Sequence, residues 1–233
     1  TMALDLTCLQ TRKAKIRSAT SDSVGARLVT TLSASLLICP ESRVCARNPP
    51  DRLRNVSPGA AGSGKSHLLR RLLEQSAGQV QQIVIDPEGD YVNLQMLVTI
   101  GDTQRAPGVA EIMAVLRDPY VHANASLLGI PLADRPAYFA ELLPHLRAMR
   151  VRTGRPHWLV VDEAHHLLPG QWGPGPLVLP GELRRTLFIT VHPGQVAASA
   201  LSSVGSAIAV GQAPEKTIEE FLNTINAAKS GLA

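Results

Sequence analysis

Apolar residues fall into short runs separated by segments with a helical period. Gln82–Asp86 (QIVID), Trp158–Val161 (WLVV), Leu187–Val191 (LFITV) and Ser206–Gly211 (SAIAVG) read as strands. Continuous apolar runs of this length suit strands buried on both faces of a parallel sheet. Leu97–Ile100 and Val121–Leu128 are two further candidates. Between the runs the pattern changes. Leu68, Leu69, Leu72 and Leu73 line one side of a helix, with Arg70, Arg71, Glu74 and Gln75 facing away and Gly78 placed to end it. Val109, Ile112, Met113 and Leu116 mark a second helix over 109–117. A third spans 134–150, with Asp134 as its expected cap and Pro144 predicting a kink. Ile218, Phe221, Leu222 and Ile225 mark a fourth after Pro214. This alternation predicts an α/β domain, doubly wound, with a mainly parallel sheet between two helical layers.

Candidate chemistry begins at residues 59–66, GAAGSGKS, a full match to G-x-x-x-x-G-K-[ST]. Gly59, Gly62 and Gly64 free the backbone to curl, so that the N–H groups of Gly59, Ala60, Ala61, Gly62, Ser63, Gly64, Lys65, Ser66 and His67 form a cradle for phosphate oxygens. Lys65 supplies a point charge to the β- and γ-phosphates of a bound ATP, and Ser66 a hydroxyl ligand to Mg2+. The leucine-patterned helix follows directly, and its N-terminus adds oriented N–H groups. Upstream the pattern is poor: in Asp51–Pro58 only Leu53 and Val56 are strongly apolar, so the strand expected before the loop is short or distorted.

The run WLVV ends in Asp162 and Glu163. Acids at the carboxyl end of a parallel strand stand where α/β sheets place ligand chemistry. Asp162 suits Mg2+, and Glu163 suits acceptance of a proton from a water attacking the γ-phosphate.

The stretches GAAGSGKS, IVIDPEGDY (83–91) and WLVVDEAHHLLP (158–169) together resemble the HerA/FtsK class of P-loop ATPases. The resemblance implies a three-layer P-loop NTPase fold of RecA-like, ASCE type, ATP hydrolysis with Mg2+, a hexameric or other homo-oligomeric assembly, and DNA as a partner. Residues 59–221 are similar in particular to an ATPase module that follows a HAD-type phosphatase domain in some bacterial proteins. No D-x-D-x-T motif occurs here, so phosphatase activity is not implied. The class tends to carry Gln beside Thr at the end of its fourth core strand, where the γ-phosphate is sensed. This chain has ITVHP, which makes Thr190 the preferred sensor and His192 the second choice.

Other readings are weaker. Asp162-Glu-Ala-His165 spells a helicase box, but only 68 residues follow it, too few for a second RecA-like domain. The histidines at 157, 165, 166 and 192 lack an H-E-x-x-H pattern, and adjacent His165 and His166 are expected on different sides of a helix, at the surface or behind the site. Residues 169–181, with four prolines and four glycines, read as a loop. Arg184 and Arg185 are candidates for an arginine finger reaching a neighbouring subunit. A nucleotide-binding regulatory or structural module with little hydrolysis is the alternative to an enzyme.

Composition redirects one inference. The chain has 233 residues, 23 Lys and Arg against 19 Asp and Glu, and a formal charge of +4. Residues 1–57 carry nine basic residues against four acidic, whereas residues 58–233 carry 14 against 15. The positive excess thus belongs to a basic N-terminal extension (1–57), which either stays disordered or adds the first strand, and not to the ATPase-like domain (58–233). Eight aromatics in the whole chain argue against a base-stacking surface. Three cysteines, Cys8, Cys39 and Cys45, fit a reducing compartment and a cytoplasmic setting. The longest apolar stretch, Leu28–Cys39, is well short of the roughly 20 residues a membrane span needs, so no membrane is expected.

Overall fold

Five parallel strands form one side of a mixed sheet. A computed structural model of the chain describes residues 64–155, 157–171, 185–204, 206–210 and 214–230, together with three N-terminal strands: β1 (Met2–Asp5), β2 (Arg17–Ser18) and β3 (Ser35–Cys39). The parallel strands are β4 (Gln81–Asp86), β5 (Leu97–Ile100), β6 (His122–Ser126), β7 (His157–Val161) and β8 (Thr186–Thr190), standing in the order β5-β6-β4-β7-β8. Beyond β8 comes β3, antiparallel both to β8 and to β9 (Ser206–Val210). β1 then pairs antiparallel with β9, and β2 with β1.

Register decides what each strand buries. Val84 pairs with Val160, and Val160 with Leu187, so these three share one face of the sheet. On that face lies α1 (Gly64–Ser76), which seats Leu69 and Leu73 against Val84, Val160, Leu187 and Ile189. Ile83, Ile85, Leu159, Val161 and Phe188 face the other way. There they meet α2 (Val109–Val115), α3 (Arg135–Thr153), α4 (Ala164–Leu167), α5 (Ala198–Leu201) and α6 (Pro214–Ser230). The result is three layers, α/β/α, as the alternating pattern predicts. Both faces of the central strands are apolar because helices cover both.

Several boundaries have local causes. β8 stops at Thr190 rather than Val191 because the chain turns there, with the His192 N–H donating to Thr190 Oγ1 at 3.0 Å. Asp134 occupies the N-cap position of α3 but makes no side-chain cap bond. It closes a short 3-10 turn with φ −93° and ψ −13°, whereas a capping side chain needs extended backbone to reach back. α3 runs through Pro144 and ends at Gly154, whose left-handed backbone (φ 62°) lets its N–H reach the Arg150 carbonyl at 2.9 Å. Arg70, expected to face solvent, is half-buried and donates to the Asp90 carbonyl. Among the described residues no helix is long and apolar enough to cross a membrane. The strand expected within residues 51–58 lies outside the described residues.

His157 opens β7 wholly buried. Burial pushes its pKa down to about 4, and the charges of Arg150, Arg155 and Arg185 push in the same direction. A histidine whose pKa is lower in the fold than in the unfolded chain leaves stability unchanged above its unfolded value, near 6.5. Below that value the unfolded state takes up the proton first, and stability declines down to about pH 4. Melting temperature is therefore expected to fall as pH drops through this window, with a shallower fall in His157→Gln. Identical slopes in the two proteins would show that His157 is not the group responsible.

Candidate functional site

The carboxyl ends of β4, β7 and β8 lie together, and each ends in a polar residue withheld from water: Asp86, Asp162 with Glu163, and Thr190. The first turn of α1 belongs to the same end. The last turn of α1 is tied to the start of β4, where Gln82 Nε2 donates to the Leu73 carbonyl and to Ser76 Oγ, both at 2.8 Å. From there α1, with 13 residues, rises about 20 Å. β4, with six, covers about the same height. Gly64, Lys65, Ser66 and His67 thus form a helix turn at the level of Asp86. Gly59, Ala60, Ala61, Gly62 and Ser63 lie outside the described residues.

Asp86 organises the turn that follows it. Its Oδ1 accepts the N–H groups of Gly89 (2.8 Å) and Asp90 (3.0 Å), and its Oδ2 accepts that of Tyr91 (3.0 Å). Asn124 Nδ2, on β6, approaches Oδ2 at 3.3 Å. Burial pushes the Asp86 carboxyl above its ordinary range, and these four donors pull it back. Gly89 is required by the path: its φ is +78°, and a Cβ there would meet Leu128 Cδ1 at 2.8 Å. The turn delivers Tyr91 into the core on the α1 side of the sheet, where its hydroxyl donates to Asp162 Oδ2 at 2.9 Å. Burial and the nearby Asp162 charge keep that phenol protonated far above its usual range.

Asp162 Oδ1 accepts the Glu163 N–H at 2.9 Å. That bond accompanies a left-handed backbone at Glu163 (φ 41°, ψ 53°), which a residue with a Cβ adopts at a cost of about 1 kcal/mol or more. Glu163 Oε2 lies 3.4 Å from His165 Nδ1, and the same nitrogen lies 3.0 Å from Thr190 Oγ1. The His165 ring stands 4.2 Å from that of His166 and edge-on to that of His192 at 5.1 Å. This corrects the expectation that the adjacent histidines occupy different sides of a helix. α4 has only four residues, too short to impose a helical face, and both rings lie side by side.

Asp162, Glu163 and Thr190 thus lie at the end of the sheet to which the first turn of α1 also belongs. Arg185 does not join them: it precedes β8 at the opposite end, where its carbonyl accepts the Leu159 N–H at 3.1 Å. Arg184 and most of the Pro/Gly-rich loop lie outside the described residues. Sequence reasoning assigned no role to Asp86, Tyr91 or Asn124, and left His165 either at the surface or behind the site. A signal for the first two was present, an acid ending an apolar strand before P-x-G-x-Y, but its partner on β7 was not deducible from spacing.

The comparisons bear on this arrangement. Residues 58–143 match the family model described as the central domain of the helicase HerA. That segment is similar to the HerA central domain. The matched segment runs from the phosphate-loop motif through the Asp86–Tyr91 turn into α3, so Asp162, Glu163 and Thr190 lie beyond it. Among solved structures, the genome-packaging NTPase B204 of Sulfolobus turreted icosahedral virus 2, solved with ATP-gammaS, is 15% identical, with a TM-score of 0.42 over 63% of this chain and 68% of that one. No curated protein matches significantly.

Asp86→Ala leaves the N–H groups of Gly89, Asp90 and Tyr91 without their acceptor, the first two half-buried and the third buried. It is expected to cost at least about 3 kcal/mol, and Tyr91→Phe about 1.5–3 kcal/mol for one bond to a carboxylate. Urea denaturation measures both. A smaller cost for Asp86→Ala than for Tyr91→Phe would show that the turn does not depend on Asp86.

Proposed function

We propose that the chain binds ATP with Mg2+ and hydrolyses it, as a motor-type module of the HerA/FtsK kind. The observation that carries this reading is that the helix opened by Gly64-Lys65-Ser66 packs its Leu69 and Leu73 against Val160 of β7 and Leu187 of β8, the strands whose carboxyl ends lead to Asp162, Glu163 and Thr190. The segment matched to the HerA central domain supports it independently.

The acidic pair fits the cation this chemistry needs. The Tyr91 hydroxyl on Oδ2 and the Glu163 N–H on Oδ1 hold the Asp162 carboxylate in a fixed orientation. Mg2+ in phosphate-transfer sites is held by one or two protein oxygens and completed by phosphate and water oxygens, so a single Asp is a sufficient carboxylate. Ser66 and Asp162 would hold Mg2+, which when bound neutralises phosphate charge. The chain's own residues do the rest. Lys65 neutralises charge on the β- and γ-phosphates, and the N–H groups of the loop and the first turn of α1 orient them. Glu163 takes the proton of the attacking water, and Thr190 contacts the γ-phosphoryl group.

A second reading, a binding module with little turnover, is favoured by β3. This strand occupies the place beside β8 but runs antiparallel and ends at Cys39, so it does not lead directly into the loop as in a strand–loop–helix unit. DNA as a partner, a homo-oligomer and the division at residue 58 follow from the resemblance and the charge distribution.

Phosphate release by the purified chain separates the two readings. Glu163→Gln is expected to lower turnover about 100-fold or more while ATP still binds, and Lys65→Ala to weaken binding. Wild-type turnover no higher than that of Glu163→Gln would leave only the binding module. Turnover indifferent to DNA at both low and moderate salt would remove translocation from the reading.

A further inference from the structure

Thr190 is fully buried at the end of β8, and its hydroxyl oxygen is approached by two nitrogens. The His192 backbone N–H donates to it at 3.0 Å. The second nitrogen, His165 Nδ1, is also 3.0 Å away, and its role depends on the tautomer. Glu163 decides this. Its Oε2 lies 3.4 Å from the same Nδ1, with both side chains almost fully buried. An unprotonated Nδ1 would turn its lone pair toward a carboxyl oxygen in a low-dielectric setting, whereas Nδ1–H presents a proton to both oxygens. The Nδ1–H tautomer satisfies the geometry. Because one nitrogen serves both neighbours, His165 cannot pass a proton from Thr190 to Glu163 through its two ring nitrogens, which excludes a nucleophilic triad built on Thr190.

A hydroxyl has one proton to give and two lone pairs to accept with. With His192 N–H and His165 Nδ1–H filling both lone pairs, the Thr190 hydroxyl retains only its donor. The packing of His165 between the His166 and His192 rings, at 4.2 and 5.1 Å, restrains the imidazole from swinging away.

We propose that His165 is a positioning residue that fixes the polarity of the Thr190 hydroxyl as an obligate donor, directed to a phosphoryl oxygen, while holding Glu163 on the same Nδ1. This rests on the reading of the site as a nucleoside triphosphate hydrolase. It assigns His165 an effect on the rate of the chemical step more than on nucleotide affinity, since a donor of fixed direction helps most where phosphoryl charge shifts during reaction.

The test uses the full chain with ATP and Mg2+, comparing wild type, His165→Ala, His165→Asn, Thr190→Val and the double variant His165→Ala/Thr190→Val. His165→Ala is expected to lower kcat about tenfold while KM changes by less than about threefold. Asn carries an N–H donor the same number of bonds from Cβ as Nδ1, so His165→Asn should recover a substantial part of the loss. The losses in the double variant should be less than multiplicative, because both single variants remove the shared His165–Thr190 interaction. Nitrogen-15 NMR of the wild-type histidines gives a readout independent of whether any variant folds, with the Nδ1–H tautomer expected at His165. An Nε2–H tautomer, full turnover in His165→Ala, no recovery in His165→Asn, or multiplying losses in the double variant would each overturn the proposal. An inactive wild type would instead remove the hydrolase reading on which it rests.

Discussion

A carboxylate taken wholly out of water must be surrounded by donors, and the way this chain surrounds Asp86 shapes the whole candidate site. Its oxygens collect the N–H groups of Gly89, Asp90 and Tyr91, so the chain leaving β4 must curl back at once. That curl needs the positive φ of Gly89 and leaves Tyr91 pointing into the sheet. Tyr91 then reaches Asp162 on the neighbouring strand. One desolvated group thereby ties β4 to β7 through a side chain, in addition to the main-chain ladder between the two strands. The turn is also fastened to the phosphate-loop helix, because Arg70 of α1 donates to the Asp90 carbonyl.

The opposite flank is built by strain and packing. Glu163 accepts a left-handed backbone, offset by its N–H bond to Asp162 and by the His166 N–H donated to its carbonyl at 2.8 Å. Such local strain survives only where neighbours over-determine it, and it is commonest at sites with chemistry to perform. The turn after β8 is similarly specified, by the bond from His192 N–H to Thr190 Oγ1. Two strand ends thus present an acid and a hydroxyl within reach of one imidazole.

Much of the architecture was legible because it depends on period and composition. QIVID, WLVV and LFITV became strands within a residue of where their apolar runs lie, since both faces of a central parallel strand are buried. The leucine stripe of α1 faces the sheet for the same kind of reason. The site was less legible. Asp86, Glu88 and Asp90 look equivalent in DPEGD, and only the register of β4 decides which of them is buried. Tyr91 and Asp162 are 71 positions apart, and no local rule couples them. The two histidines after Glu163 were misjudged because a helix of four residues does not sort its side chains onto faces.

By itself, the sequence determined that this is an α/β chain with a G-x-x-x-x-G-K-S turn opening an amphipathic helix, and with acids ending an apolar strand. Those features rest on local period and on residue types that phosphate and metal chemistry demand. Tertiary structure alone decided that the Asp86 turn braces Asp162, that His165 stands between Glu163 and Thr190, and that β3 runs antiparallel beside β8. Each of these follows from strand order and register, which bring together residues far apart in the chain. The direction of a strand and the partner of a buried polar group are settled by what must be desolvated together, and that is a property of the assembled sheet.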